Sequence, residues 1–241
     1  MGCPLIVIPG YFASAQPYGP LIQMLRDRGR VAEVVPLRLG DWVPTVGGRS
    51  VSGIIDRLDA TVQAVRSRHN ADQVDLIGHS AGGWIARIYL GDRTPYQVHR
   101  ADQKRAERGQ PTLWKGRAWV RSLLTLGTPQ QSQERWTRRN LNFVNQAYPG
   151  AFYDDVRYIC VAGRALQGQR PAQQKGQWLA FNSYELTCGD GNAWGDGITP
   201  IAAAHLDGAT NLTLEGVWHS PTSPGPWYGD RAIVPQWLDA L

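Results

Sequence analysis

Short apolar runs bounded by glycine and proline alternate along this chain with longer amphipathic stretches. Residues 5–9, 31–37 and 74–77 have the length and continuous apolar character of buried strands. Residues 18–28 and 51–68, which follow the first two runs, repeat apolar side chains at helical spacing. This alternation predicts the α/β class, with a mostly parallel central sheet and helices on both of its faces.

The second half of the chain continues this pattern with two interruptions. Further strands are predicted at 120–126, 158–162 and 211–214, and a last helix around Ile233 to Leu238. The interruptions are a basic excursion at 92–116 and an aromatic one at 130–156. Because no repeat or Ser/Gly linker divides the chain, we predict one domain over 1–241. The excursions could form a cap or pocket walls, with aromatics such as Phe143, Phe152 and Tyr153 near the site.

A glycine-rich turn joins the strand at 74–77 to an apolar helical stretch. Its sequence, Gly78-His79-Ser80-Ala81-Gly82, matches G-x-S-x-G, in which a serine sits on a strained strand-to-helix turn. The glycines keep side chains out of the crowded backbone, and the turn exposes the serine hydroxyl. This pattern predicts Ser80 as a nucleophile and the Ala81 amide, at a helix N-terminus, as an oxyanion donor.

Four further motifs follow one another in a fixed order around this turn. They are Ile8-Pro9-Gly10-Tyr11, Leu126-Gly127-Thr128-Pro129, Gly195-Asp196-Gly197-Ile198-Thr199-Pro200 and Val217-Trp218-His219-Ser220. With the serine turn, they resemble the motifs of α/β-hydrolases of the compact lipase and esterase type, over nearly the whole chain. The resemblance implies an α/β-hydrolase fold and assigns the second oxyanion amide to Tyr11.

The predicted base is a histidine near the end of the chain. In this fold the triad follows the order serine, acid, histidine, which excludes His69 and His79 as the base because they precede or adjoin the nucleophile. His99 lies in the basic excursion. His219 follows the last predicted strand, in a loop, whereas His205 lies on a predicted helix at 201–206. We therefore expect His219 to be the base, with His205 as the weaker candidate.

The acid should lie between the strand at 158–162 and His219. Asp196 begins an Asp-Gly turn before a helix, as the acid does in the resembled family, and Asp190 lies in a similar turn. The other carboxylates of this segment are less suitable in position; they are Glu185, Asp207 and Glu215. We expect Asp196 to be the acid and keep Asp190 as the alternative. The long gap from Gly163 to Asp196 predicts extra walls around the site.

Composition and charge narrow the setting in which the protein acts. The net charge of +5 is concentrated between Arg93 and Arg121, without the interleaved aromatics that stack on bases. We therefore expect no nucleic-acid partner, and keep peripheral contact with an anionic membrane surface as a possibility. Three cysteines, an odd count, favour free thiols. No apolar run approaches the roughly 18 residues of a membrane span, and no signal peptide is evident, so a cytoplasmic location is expected.

These features together predict a serine hydrolase of carboxylic esters, with an acyl or lipid group in its substrate. The triad would be Ser80, Asp196 and His219, and neither cofactor nor metal is expected, since metal-binding motifs are missing from the sequence. Thioesterase and acyltransferase chemistry would use the same triad. A non-catalytic binding protein on the same fold is the alternative from another class. The oligomeric state is not predicted.

Overall fold

The computed structural model of the protein describes residues 2–93, 100–135 and 137–241. Residues 94–99 and Trp136, which belong to the two predicted excursions, therefore lie outside the described residues. The strands are β1 Leu5–Ile8, β2 Ala32–Val34, β3 Val74–His79, β4 Val120–Leu126, β5 Arg157–Arg164, β6 Leu166–Gln167, β7 Trp194–Gly195 and β8 Thr210–Glu215. The α-helices are α1 Gly19–Asp27, α2 Ser52–His69, α3 Ala81–Leu90, α4 Arg100–Glu107, α5 Arg138–Ala147, α6 Lys175–Cys188, α7 Ile201–Ala204 and α8 Val234–Leu238.

Six of the strands form one parallel sheet in the order β2-β1-β3-β4-β5-β8. The sheet order changes direction at β1 and β3, so the ends of these strands border a crevice, the usual place for a ligand in an open α/β sheet. The strands β6 and β7 form a separate antiparallel pair. The predicted fold class, a parallel α/β sheet in a single domain, is confirmed.

Helices cover both faces of the sheet. Successive residues of a strand face opposite sides, so the apolar side chains of each central strand contact helices on both faces. In β1, Ile6 and Ile8 belong to a core cluster with residues of α2, α3 and α5. Leu5 and Val7 belong to a second cluster with residues of α1 and α8. Both faces of the strand are therefore buried, which accounts for its uninterrupted apolar sequence.

The structure adds two helices where the sequence pattern predicted irregular excursions. The described part of the first excursion contains α4, whose Arg105 forms an ion pair with Asp56 of α2 at 2.7 Å. This part packs beside α2, and no described residue of the excursion lines the pockets at Ser80. The second excursion contains α5. No helix in the described parts of the chain is long and apolar enough to cross a membrane.

Candidate active site

Ser80 occupies a strained turn between the end of β3 and the start of α3. Its backbone angles, φ 51° and ψ −123°, lie in a region that residues with a side chain rarely adopt. A Cβ atom at Gly78 would lie 2.4 Å from the Cα of Gly83, and one at Gly82 would lie 2.4 Å from the carbonyl oxygen of Ile8. Both positions therefore require glycine, which is the physical reason for the G-x-S-x-G pattern.

The loop after β4 holds this turn in place. The backbone N–H of Ser80 donates to the carbonyl oxygen of Leu126 at 2.9 Å. The Thr128 hydroxyl donates to the carbonyl oxygen of Ser80 at 2.7 Å, and a Cβ at Gly83 would collide with the Thr128 side chain. The Gly-Thr-Pro motif thus supports the strained serine from the neighbouring strand.

Two backbone N–H groups beside Ser80 are available to a ligand. Ala81 is the first residue of α3, and Tyr11 follows the end of β1; neither N–H makes a hydrogen bond within the described parts of the chain. The β1 loop lies close to the serine, because a Cβ at Gly10 would be 2.9 Å from the Ser80 Cβ. The Tyr11 hydroxyl is bonded to Thr45 Oγ1 at 2.8 Å, which anchors this loop to the rest of the fold.

Asp196 is buried in the turn after β7, and each of its two carboxylate oxygens accepts two hydrogen bonds. Its Oδ1 accepts the backbone N–H groups of Ile198 and Thr199 at 3.0 and 2.7 Å. Its Oδ2 accepts the His219 Nδ1–H and the Tyr228 hydroxyl, both at 2.8 Å. Burial by itself would raise the pKa of Asp196, but His219 and the backbone N–H groups of Thr199 and Ile198 together hold that pKa below its ordinary value.

His219 is fixed to the same turn by its backbone and its ring. Its N–H donates to the Asp196 carbonyl oxygen at 3.0 Å, while its Nδ1 is bonded to the carboxylate. Since an ionised carboxylate only accepts, Nδ1 carries the proton, and in the neutral form of the ring Nε2 is then the acceptor. Ser80 and His219 line the same pocket, although the hydrogen bonds of the described residues do not include one between them. Such bonds often tighten only when substrate binds.

The pocket at Ser80 has two arms. One, of about 340 Å³, includes Ala81, Trp84, Pro129 and Ile198 in its lining. The other, of about 410 Å³, includes His219, Leu39 and Pro221. Ser80, Tyr11 and Phe12 line both arms, so a ligand bound at the serine could extend in two directions.

The structure brings together Ser80, His219 and Asp196, with the amides of Tyr11 and Ala81 beside the serine. It does not bring Asp190 or His205 to this site. The exposed Asp190 accepts the backbone N–H of Asn192 at 2.9 Å. His205 Nε2 is bonded to Thr213 Oγ1 at 3.2 Å.

Four features of the site differ from the sequence prediction or were not foreseen by it. The aromatics Phe143, Phe152 and Tyr153 do not line either arm; they pack around Tyr148 instead. The second excursion reaches the pocket through its early residues, including Ser132 and Thr137. The helix α6 supplies Ser183 and Thr187 to the first arm, where only the long gap before Asp196 signalled an extra wall. Nothing in the sequence indicated that the Tyr228 hydroxyl donates a hydrogen bond to Asp196.

Among the described residues, no group of histidine, cysteine, aspartate and glutamate side chains could hold a metal ion. A hydroxyl, a neutral imidazole, a buried carboxylate and two backbone donors are the parts that acyl transfer requires.

Solved structures share this arrangement of strands and helices. The product of gene lin2722 of Listeria innocua aligns over 98% of this chain and 93% of its own, with 12% identity and a TM-score of 0.53. A Xanthomonas campestris protein assigned to the α/β hydrolase superfamily aligns over 100% of both chains, with 14% identity and a TM-score of 0.50. The phospholipase PlaB of Legionella pneumophila aligns over 92% of this chain and 54% of its own, with 15% identity and a TM-score of 0.57.

No model of a known protein family matches this chain, and no curated protein matches it in sequence. At the low identities of the solved structures, the likeness defines the fold alone. The sheet order, the serine turn and these structures together show that the chain has the α/β-hydrolase fold.

Proposed function

We propose that this protein hydrolyses carboxylic esters through Ser80 as nucleophile, His219 as base and Asp196 as the carboxylate that orients it. One observation carries the proposal: a strained serine shares a pocket with a histidine whose Nδ1 is bonded to a buried, ionised aspartate. Structural roles alone would not require a positive φ at a serine whose hydroxyl faces a pocket.

Each step of the reaction has a group assigned to it. The Ser80 hydroxyl gives its proton to His219 Nε2 as its oxygen bonds to the acyl carbon. The carbonyl oxygen becomes an oxyanion that the amides of Tyr11 and Ala81 stabilise. When the bond to the alcohol breaks, His219 returns the proton to the leaving oxygen. Water then attacks the acyl-enzyme by the same route and releases the acid and free Ser80.

The two arms of the pocket indicate the direction in which the ester lies. The leaving oxygen must come within hydrogen-bond reach of His219 Nε2, so the alcohol portion belongs to the arm that His219 lines. The acyl chain then occupies the other arm, against Trp84, Pro129 and Ile198. Since both arms contain apolar side chains, we propose substrates with apolar groups on both sides of the ester. Because PlaB, which shares this fold, is a phospholipase, we propose lipid esters as the first natural substrates to test.

A pair of matched substitutions tests this direction. Ile198 lines only the acyl arm and Leu39 only the alcohol arm, and both side chains are more than half exposed, so alanine at either leaves the core intact. We expect Ile198→Ala to raise KM for long-chain acyl esters of a short alcohol, and Leu39→Ala to raise KM for acetates of long alcohols. Each change should be about 5- to 30-fold, from roughly 1 to 2 kcal/mol of lost apolar contact. The reversed pattern would contradict the assignment of the arms.

Hydrolysis itself is tested with p-nitrophenyl esters of graded acyl length. We expect the purified protein to release nitrophenol and the matching acid in equal amounts, and Ser80→Ala, folded to the same extent, to release neither above background. Turnover that survives in Ser80→Ala would contradict the proposal. Binding of the ester without turnover by the unsubstituted protein would favour the non-catalytic alternative.

A further inference from the structure

A buried hydrogen-bond chain connects the three loops that form the proposed site. The Gly10 N–H donates to Tyr18 Oη at 2.9 Å, Tyr18 Oη is bonded to His79 Nδ1 at 2.7 Å, and His79 Nε2 is bonded to the carbonyl oxygen of His219 at 2.7 Å. Tyr18 and His79 border the arm of the pocket that His219 lines, but they are only 2% and 4% exposed, so little of either side chain is open to solvent. The chain begins beside Tyr11, passes the residue before Ser80 and ends on His219.

The direction of every bond in this chain is determined by its ends. A carbonyl oxygen only accepts, so His79 Nε2 must carry the proton. The neutral ring then accepts at Nδ1, so the Tyr18 hydroxyl must donate to it. That leaves the Tyr18 oxygen to accept the Gly10 N–H. Every group is satisfied in one arrangement, and a buried network of this kind fixes the positions of the segments that it joins.

We propose that His79 is a positioning residue of the hydrolytic site, which holds the backbone of His219 at the distance from Ser80 that proton transfer needs. Through its hydrogen bond with Gly10, Tyr18 likewise fixes the loop after β1, whose Tyr11 amide is the proposed oxyanion donor. Asp196 contacts the ring and the N–H of His219, whereas His79 holds its carbonyl oxygen. The base is thus fixed on both sides of its Cα.

A neutral His79 is also what the electrostatics of the reaction requires. The rings of His79 and His219 lie 5.0 Å apart between centroids. A positive charge on His79 would oppose the imidazolium that forms on His219 when it takes the serine proton. Burial, and then the neighbouring His219, lower the pKa of His79 to about 3, so it stays uncharged while His219 works.

The inference rests on the proposed function and predicts which kinetic constant changes. His79→Leu removes both bonds of the ring, and we expect kcat to fall about 10- to 100-fold, the scale of loss when catalytic groups are misplaced by about 1 Å. Because His79 also borders the arm assigned to the alcohol, KM should stay nearly unchanged when the ester has a short alcohol, and such an ester is used for the comparison. His79→Gln can donate to the His219 carbonyl oxygen and accept from Tyr18, so it should restore most of this loss. Tyr18→Phe should lower kcat by a smaller factor, and adding it to His79→Leu should cost little more, since both act through one chain.

The matched control is Tyr89→Phe. Tyr89 is buried like Tyr18 and its hydroxyl also makes a hydrogen bond, to Asp59 of α2, away from the pocket. We expect this variant to lose some thermal stability without a change in kcat. The comparison separates a general loss of packing from a loss of position at the site.

The experiment follows kcat, KM and the rate constant for labelling of Ser80 by a fluorophosphonate, all well below the unfolding temperature of every variant. We expect labelling of His79→Leu to slow in parallel with kcat, and that of His79→Gln to recover. If the unsubstituted protein is not labelled at Ser80, the proposed function itself fails. If it is labelled, and His79→Leu is labelled as fast, only the positioning role is overturned. Should His79→Leu not fold, equal labelling rates of Tyr18→Phe and the unsubstituted protein overturn it.

Discussion

Two glycine-aspartate-glycine turns, at 189–191 and 195–197, lie close together in the sequence and have opposite surroundings. In the first turn Asp190 is exposed, and its carboxylate accepts the N–H of Asn192 within the turn itself. In the second turn Asp196 is 1% exposed, and its carboxylate accepts from His219, Tyr228 and two backbone N–H groups. The same tripeptide therefore forms a solvent-exposed turn in one place and a buried charge in the other.

The difference arises from where each turn meets the sheet. Asp190 follows the end of α6, where Gly189 closes the helix with a left-handed backbone. Asp196 follows β7 and lies against the loop after β4, since a Cβ at Gly127 would be 2.5 Å from its Oδ2. The tripeptide sequence specifies a turn. Its aspartate contacts a histidine only where that turn lies at the carboxyl ends of the strands.

The largest expected effect on kcat comes from removing Ser80 or His219, and the effects of substitutions in the two aspartate turns are compared with it. We expect Ser80→Ala and His219→Ala each to lower kcat for ester hydrolysis by about 10⁶-fold while the fold remains, because either change removes the proton-transfer couple. Circular dichroism and unfolding curves provide the control for folding. A loss below about tenfold for either variant would exclude that residue from the triad.

The two turns are compared directly by matched amide substitutions. We expect Asp196→Asn to lower kcat by up to about 10⁴-fold, since an amide favours the wrong tautomer of the histidine. Asp190→Asn should change kcat by less than about twofold, as for other surface substitutions. Steady-state hydrolysis of one activated ester measures both. A severe loss in Asp190→Asn with a silent Asp196→Asn would reverse the assignment of the acid.

The Tyr228 hydroxyl provides a further test of the comparison between the two turns, because it donates a hydrogen bond to the Asp196 carboxylate. Tyr228→Phe removes that donor and leaves the Gly163 N–H, now bonded to the tyrosine oxygen, without its partner. We expect kcat/KM to fall about 10- to 150-fold, from the roughly 1.5 to 3 kcal/mol of a hydrogen bond to a charged group. Tyr89→Phe, which also loses a bond to a carboxylate, should keep its kcat/KM. Equal losses in both variants would indicate a general packing effect.

The smallest expected effect is on the pH dependence of stability. Because the folded protein holds the pKa of Asp196 below its ordinary value of 3.8, the ionised carboxylate favours folding above that pH. This contribution is lost as the pH falls through the folded pKa. Urea unfolding between pH 3 and 7 should therefore show the unsubstituted protein gaining stability relative to Asp196→Asn as the pH rises. A difference that is constant over this range would contradict the lowered pKa.

The sequence was sufficient for the sheet and for the serine turn because both depend on local patterns. Buried parallel strands are continuous apolar runs, and β4 has the predicted bounds 120–126. The glycines at 78 and 82 are required by close backbone contacts, so they appear in the sequence as a motif. The roles of Ser80, His219 and Asp196 remain predictions, to which the structure adds a consistent geometry.

The walls of the pocket could not be predicted in the same way. Periodicity does not reveal α6, since Trp178, Leu179 and Leu186 leave apolar side chains on its exposed surface and blur the pattern. The aromatics of the second excursion were expected near Ser80, yet they pack around Tyr148 in a cluster of their own, which leaves Phe152 exposed. Contacts such as that of Tyr228 with Asp196 join residues far apart in sequence and leave no local signal.

Labelling with a fluorophosphonate is the sharpest test of Ser80 as an activated nucleophile. The probe reacts with a serine only where a base removes its proton and an oxyanion hole receives the developing charge. Peptide mapping of the labelled, folded protein identifies the residue that has reacted. We expect one label per chain, on Ser80, with none on Ser80→Ala and much slower labelling of His219→Ala. Folded protein that remains unlabelled, or a label on any other residue, would contradict this role of Ser80.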